Sequence, residues 1–188
     1  MNCHTKIPQA NRRYYGHSSH MADSHHSILC EIREARASDG STIAAYNSRM
    51  AEETEGRTLD PDIVGPGVRA LLDDPAHGRY WIAEAGGETI GQLMITYEWS
   101  DWRNGMIWWI QSVYVHPDWR RKGVFSALYR HVESLAAAEP GVIGLRLYVE
   151  ENNKRAQRTY EALGMTKPSY LVMESLRTNK STTPRGED

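Results

Sequence analysis

The chain has 188 residues, a length typical of one globular domain. Hydrophobic residues make up 40% and charged residues 24%, and no apolar run approaches the roughly 18 residues of a membrane-spanning helix. The 22 basic and 24 acidic residues give a formal charge of -2, which argues against whole-molecule attraction to nucleic acid.

Both ends of the chain are predicted to lie outside the folded domain. Residues 1–29 are polar, hold five of the eight histidines and show no sustained periodicity, which predicts a disordered extension. Residues 177–188 are predicted to form a flexible tail. The start of the chain has no charged segment followed by an apolar core, so we expect no signal peptide. The two cysteines, Cys3 and Cys30, do not form a disulfide framework, and we expect a reduced, cytoplasmic protein.

Residues 30–176 alternate between strand and helix patterns, which predicts a single mixed α/β domain. The first predicted elements are a strand at Cys30–Ala35 and a helix from Asp39 or Ser41 to about Glu55. Gly65–Gly67 is predicted to break the chain, and Val68–Leu72 starts or continues a second helix that stops near Pro75. The elements that follow are strands at Tyr80–Ala85 and Thr89–Glu98 joined across Gly86-Gly87, a strand at Met106–Val115, a helix over Val124–Leu135, a strand at Ile143–Val149, a helix around Ala156–Leu163 ending at Gly164, and a strand within Met165–Leu176.

A basic turn joins the Met106–Val115 strand to the helix that follows it. Arg120, Arg121 and Lys122 precede Gly123 at the predicted start of that helix. The first N–H groups of a helix lack intrahelical partners and lie at the positive end of its dipole, so they can bind an anion. Glycine lets the backbone approach a bulky anion closely. The turn therefore predicts a diphosphate site, although a basic turn can also be simply solvated.

Two motifs in this chain resemble those of the GNAT superfamily of acyl-CoA-dependent N-acyltransferases. The turn matches the family pattern Arg/Gln-x-x-Gly-x-Gly/Ala at Arg120 and Gly123, and departs from it at Phe125. About 30 residues later, Asn153, Ala156 and Tyr160 begin the family pattern Asn-x-x-Ala-x-x-x-Tyr-x-x-x-Gly-Phe. It ends at Gly164-Met165, where methionine replaces phenylalanine. Asn153, Ala156 and Tyr160 share one helical face.

The resemblance implies a GNAT fold, with a mixed and mostly antiparallel sheet of six to seven strands, splayed central strands and flanking helices. It also implies acetyl-CoA as co-substrate, direct attack of an amine on the thioester in a ternary complex, and no metal. Tyr160 is the implied general acid for the departing thiolate. The residues implied to hold acetyl-CoA are Val113, Tyr114 and Val115 through their backbone, Arg120, Arg121, Lys122, Gly123, Val124, Phe125 and Ser126 at the turn, and Asn153 and Ala156 on the later helix.

The acceptor is predicted to be a small cationic amine. Acidic Glu52 and Glu53 lie on the first helix, and Trp99, Asp101 and Trp102 follow the third strand. Aromatic faces near carboxylates favour cations. This tryptophan segment is weakly similar to the diamine and polyamine acetyltransferases. The tryptophans can equally pack the sheet and a dimer interface.

An amine must lose a proton before it attacks, and many relatives place a glutamate on the fourth strand for this purpose. The corresponding residue here is near Gln111, which cannot accept a proton usefully. Glu98 is the predicted base, with Asp101 or a water relay as the alternatives. Gln111 is instead predicted to contact the acceptor.

The sequence therefore predicts an acetyl-CoA-dependent N-acetyltransferase acting on a small-molecule amine, with no nucleic-acid or membrane partner. By analogy with the family, we expect a homodimer. One alternative is an enzyme that acetylates a protein or peptide. Another is a non-catalytic acetyl-CoA-binding sensor, because Gln111 replaces the usual base.

Overall fold

The computed structural model describes residues 30–175. The expectations for residues 1–29 and 177–188 lie outside this range. The helices and strands, in chain order, are β1 at Glu31–Glu34, α1 at Gly40–Glu55, α2 at Pro61–Asp73, β2 at Arg79–Ala85, β3 at Glu88–Ser100, β4 at Gly105–Val115, α3 at Val124–Ala138, β5 at Val142–Leu147 and α4 at Lys154–Ala162.

The described strands form one five-stranded sheet in the order β1-β2-β3-β4-β5. The first four strands are antiparallel neighbours, and β5 runs parallel to β4. Strands β4 and β5 pair only as far as Ile110 and Leu147, so the last five residues of β4 separate from β5. The predicted mixed, mostly antiparallel sheet with splayed central strands is confirmed.

The sheet separates two apolar cores. Side chains on one face, including Leu93, Ile95 and Trp108, pack with Leu128 and Val132 of α3. The other face packs against α1 and α2 through a smaller cluster, whose buried members are Ile43, Val68, Tyr80, Ile82 and Met94. This arrangement, a sheet between two layers of helices, holds the first turn of α3 beside the open end of β4.

The predicted sixth strand is wrong for the described residues. No strand forms between Met165 and Ser175. Tyr170, Leu171 and Met173 have strand-like side chains but are 80–89% exposed. A strand needs a hydrogen-bonding neighbour, and Pro168 removes a backbone donor at the start of this run. The sheet therefore has five strands here instead of six to seven.

The predicted break at Gly65–Gly67 is also wrong, because α2 begins at Pro61 and runs through it. The Asp60 side chain caps the helix by accepting a hydrogen bond from the backbone N–H of Asp62 at 2.9 Å. Proline is well suited to the first helical position that follows. A good N-terminal signal and the apolar face of the helix thus outweigh the unfavourable Gly65 and Pro66.

A partly buried ion cluster ties β1, β2 and the start of α1 together. Arg33 donates to both carboxylate oxygens of Asp39 at 2.8 and 2.9 Å and to Glu84 at 2.6 Å. The Arg33 hydrogen bonds hold the pKa of Asp39 and the pKa of Glu84 below their ordinary values of 3.8 and 4.5. The unfolded chain therefore binds more protons in acid, and stability is lost as pH falls through the lowered folded-state pKa values.

We expect Arg33→Met to lower the free energy of unfolding by about 2 kcal/mol near neutral pH. The difference from the parent protein should shrink below about pH 4, where both carboxyl groups become protonated. Urea unfolding followed by circular dichroism over a pH series measures it. Arg57→Met is the matched control, because Arg57 and Glu55 form an exposed pair at 3.4 Å and should contribute little. An equal loss at every pH would contradict this account.

Candidate active site

A bulge in β4 marks the point where the sheet opens. Gln92 of β3 pairs with Tyr114, but Met94 pairs with Gln111, so β4 carries one extra residue here. Ser112 lies in this bulge with a φ of 46°. A bulge bends its strand and changes which face each later side chain occupies. Gln111 consequently faces the α1–α2 side, whereas Val113 packs on the α3 side.

A chain of hydrogen-bonded, buried polar side chains contacts the bulge from the α1 side of the sheet. Gln92 is fully buried, and its amide donates to Asn47 of α1 at 2.7 Å and, more weakly, to the backbone oxygen of Ser112 at 3.4 Å. Asn47 in turn donates to the Tyr80 hydroxyl at 3.0 Å. Buried polar groups of this kind are costly unless they are paired, so the network favours one arrangement of the strands.

A cleft of about 480 Å³ opens between the end of β4, the start of α3 and α4. The cleft is lined by valines of β4, by arginines of the basic turn and α4, and by other residues of α3 and α4. The lining residues are Val113, Val115, Trp119, Arg120, Arg121, Gly123, Val124, Phe125, Ser126, Asn153, Arg155, Ala156, Thr159 and Tyr160.

The first turn of α3 presents backbone donors to this cleft. Gly123 precedes the helix with a φ of 86° and supplies no side-chain cap. The first backbone bond of the turn runs from the N–H of Ala127 to the Gly123 carbonyl at 2.9 Å. The helical N–H groups before Ala127 have no partner further back in the helix, so they remain available to an anion. These donors belong to Val124, Phe125 and Ser126.

The basic residues of the turn divide into two groups. Arg121 lines the cleft with a φ of 64°. Arg120 also borders it, but its guanidinium donates to Glu53 of α1 at 2.6 Å and to the Val115 carbonyl at 2.9 Å. Lys122 lies outside the lining, with its ammonium 5.0 Å from the Trp119 ring centre. Of these three residues, Arg121 is therefore the one that lines the cleft without an ion pair to Glu53.

Tyr160 of α4 faces the same cleft from the opposite side. Its ring meets Phe125 edge-on, with 5.6 Å between the centroids and 73° between the planes. Phe125 also contacts Tyr129, at 6.1 Å. The aromatic ring that replaces the family's Gly or Ala is thus turned toward α4. Burial raises the pKa of the Tyr160 phenol, so this hydroxyl stays protonated at neutral pH and can donate a proton.

Asn153 and Ala156 shape the start of α4. The Asn153 side-chain oxygen accepts a hydrogen bond from the backbone N–H of Ala156 at 3.0 Å. This is an N-cap, and it fixes the direction in which α4 leaves the loop. Both residues line the cleft. The cap therefore also sets where Tyr160, about two turns later, is placed.

The predicted base lies on the other face of the sheet. Both carboxylate oxygens of Glu98 accept hydrogen bonds from Arg146, at 2.9 and 2.8 Å. The indole N–H of Trp109 also donates to Glu98. Gln111 donates to the Thr96 hydroxyl at 2.6 Å. Glu98 lies two residues after Thr96 in β3, so the two side chains are on the same face of the sheet and about 7 Å apart. Glu98 is therefore on the same face as Gln111.

The tryptophan segment is far from the cleft. Trp99 and Trp102 are 58% and 87% exposed at the β3–β4 turn, and the Asp101 side chain accepts from the Trp102 backbone. Val113 lies eight residues after Gly105 in β4, a distance of about 26 Å along an extended strand. The structure does not bring these residues together with the cleft.

Glu52 and Glu53 of α1, which were predicted to bind the acceptor, differ in their contacts. Glu52 is exposed, whereas Glu53 accepts hydrogen bonds from Arg120 and, at 3.1 Å, from the Tyr114 hydroxyl. The Tyr114 side chain therefore belongs to the α1 face and not to the cleft. Sequence reasoning missed Arg155 and Thr159, although the four-residue step between them and the three-residue step from Ala156 to Thr159 indicated a shared side of α4.

Two other kinds of site are absent from the described residues. Within residues 30–175, no helix combines the length and apolarity needed to span a membrane. The same range contains no group of three or more His, Cys, Asp or Glu side chains arranged to hold a metal ion.

Comparison with known proteins supplies the family. The Acetyltransferase (GNAT) family model matches residues 42–165. A crystal structure of a possible acetyltransferase from Clostridium difficile 630 is 45% identical, with a TM-score of 0.75 over 80% of this chain and 99% of that one. A search of curated proteins found no match.

More distant structures share the fold. A ribosomal-protein-alanine N-acetyltransferase from Brucella melitensis biovar Abortus 2308 is 19% identical, with a TM-score of 0.61 over 78% of this chain and 100% of that one. An aminoglycoside acetyltransferase from an uncultured soil metagenomic sample is 14% identical, with a TM-score of 0.64 over 81% and 99% of the two chains. The family model and the 45% identical structure together show that this chain belongs to the GNAT acetyltransferase family.

Proposed function

We propose that this protein transfers an acetyl group from acetyl-CoA to the primary amine of a small molecule. The observation that carries the proposal is that one cleft contains both the backbone donors at the start of α3 and the Tyr160 hydroxyl. An anionic group and a thiolate leaving group can thus both be bound within one site.

The lining of the cleft fits acetyl-CoA. The free N–H groups of the first α3 turn and the nearby Arg121 suit a diphosphate. Val113 and Val115 lie on the part of β4 that has separated from β5, so their backbone groups are not used by that strand and suit the amides of a pantetheine arm. Arg155 adds a second positive charge on the α4 side.

Proton transfers at two sites accompany the reaction. Once neutral, the amine nitrogen forms a bond to the acetyl carbon, the carbon–sulfur bond breaks, and Tyr160 donates its proton to sulfur. The proton that the new amide nitrogen loses passes to solvent, from which the Tyr160 phenolate regains its own. A free alkylamine with a pKa of about 10.4 is ~99.9% protonated at pH 7, which costs about 4.6 kcal/mol. We assign removal of that proton to Glu98, acting through water, because its carboxylate lies on the Gln111 face of the sheet.

The direct test is release of free CoA when the purified protein is mixed with acetyl-CoA and a panel of amino acids, diamines, polyamines, aminoglycosides and peptides. We expect turnover with at least one small amine and none with the peptides. Acetylation of peptides alone would instead favour a protein acetyltransferase. Tight acetyl-CoA binding without any turnover would favour a non-catalytic sensor.

A further inference from the structure

An open surface of aromatic and charged side chains lies where β4 and β5 separate. Trp109 of β4 and Tyr148, just after β5, have ring centroids 4.3 Å apart. The last paired residues of the two strands are Ile110 and Leu147, which directly adjoin this aromatic pair. The two rings therefore border the mouth of the opening.

This surface lies on the sheet face opposite α3. Trp108, Ile110, Leu145 and Leu147 pack into the α3 core. Side chains alternate along a strand, so the residues between them point to the other face. Those residues are Trp109 on β4 and Arg146 on β5, and Gln111 continues the same row toward the bulge. A molecule bound here would approach the opening from the side away from the acetyl-CoA cleft.

An ion pair completes the surface. The Nη1 atom of Arg146 donates to both oxygens of Glu98, and its guanidinium carbon lies 5.2 Å from the Trp109 ring centre. The Arg146 and Glu98 side chains are 36% and 38% exposed, so a ligand can reach both charges. Among the hydrogen bonds of residues 30–175, Arg146 uses only Nη1. Arginine has further donors on Nε and Nη2, in a geometry that suits a carboxylate.

We propose that Trp109, Tyr148 and the Arg146–Glu98 pair form the acceptor subsite, and that the acceptor is a free α-amino acid or a close analogue. This inference rests on the proposed acetyl transfer. For a polycation, the attraction of Glu98 is largely offset by the repulsion of Arg146. An α-amino acid carries opposite charges on one carbon, so its carboxylate can bind Arg146 while its ammonium binds Glu98. Its side chain then packs on the two rings.

The first experiment compares each amino acid with its decarboxylated amine and its methyl ester, using CoA release by the full-length protein. We expect the kcat/KM of the best amino acid to exceed that of its decarboxylated amine by at least about tenfold, because the amine leaves Arg146 without its carboxylate. The ester should resemble the decarboxylated amine. Equal or higher rates for the two carboxylate-free compounds would overturn the inference.

The second experiment removes the arginine charge. Arg146→Met should raise the KM for the amino acid by about tenfold but should not raise the KM for the decarboxylated amine, which loses only a repulsive charge. Arg146→Lys should recover part of the preference, since it restores the charge without the planar fork. Arg69→Gln, at an exposed position of α2, is the control and should change neither value. If Arg146→Met does not fold, Tyr148→Leu tests the same subsite and should raise the KM for the amino acid.

The results separate the two levels of proposal. Turnover of polyamines or aminoglycosides but not of amino acids overturns this inference and leaves the acetyltransferase proposal intact. An unchanged amino-acid preference in the folded Arg146→Met protein overturns the subsite. Acetyl-CoA binding without turnover of any amine overturns both proposals, as does a failure to bind acetyl-CoA.

Discussion

Tyr160→Phe should lower kcat by about 100-fold or more and change the acetyl-CoA dissociation constant by less than about threefold. The substitution removes only the hydroxyl, and the ring can keep its edge-on contact with Phe125. The sulfur would then depart as a thiolate with no phenol to protonate it. Stopped-flow measurement of CoA release and calorimetric titration with acetyl-CoA give the two values.

The Tyr160 experiment has a matched control in Tyr170→Phe. Tyr170 is 80% exposed and does not line the cleft, so its hydroxyl should not affect turnover. The pH dependence adds a second criterion. Because burial raises the pKa of Tyr160, loss of this acid should not limit kcat below about pH 10. An unchanged kcat in Tyr160→Phe would remove the residue from the mechanism.

Gly123→Ala is expected to weaken acetyl-CoA binding by about tenfold or more. No atom lies within 4 Å of an added Cβ, so the effect does not come from a collision. It comes from the φ of 86°, a conformation that costs a side-chain-bearing residue roughly 1–2 kcal/mol. Relief of that strain turns the peptide at the start of α3 and misdirects the donors that would bind the diphosphate.

Gly86→Ala is the matched control, because it distinguishes a loss of acetyl-CoA affinity from a loss of stability. Gly86 also has a left-handed φ, of 59°, and open space around its Cβ position, but it lies in the β2–β3 turn away from the cleft. Both variants should therefore lose a similar amount of stability, measured by thermal unfolding. Only Gly123→Ala should lose acetyl-CoA affinity, measured by calorimetry. Equal affinities in the two variants would mean that the α3 turn does not hold the diphosphate.

Local spacing was sufficient to predict much of the fold and one side of the site. The Tyr160 position followed from three- and four-residue steps along one helix, and those steps need no knowledge of distant contacts. The strand–turn–helix around Gly123 is likewise contained in a short segment. The structure places both in one cleft.

Features that depend on distant pairing could not be predicted in the same way. Arg120 was expected only beside a diphosphate, but it forms an ion pair with Glu53, which is 67 residues earlier. Trp99 and Trp102 were expected near the acceptor, although the register of β3 on β4 carries them to the far end of the hairpin. Arg146 was not predicted, because its role depends on β5 lying parallel to β4 opposite Trp109.

A crystal structure of the protein with coenzyme A bound tests the central claim most directly. We predict that the diphosphate lies on the backbone N–H groups of the first α3 turn and that the sulfur lies within hydrogen-bond reach of the Tyr160 hydroxyl. A second cleft, of about 450 Å³, lies beside the β2–β3 turn and is lined by Arg49 and His116 among others. Coenzyme A bound there, or a sulfur remote from Tyr160, would contradict this account.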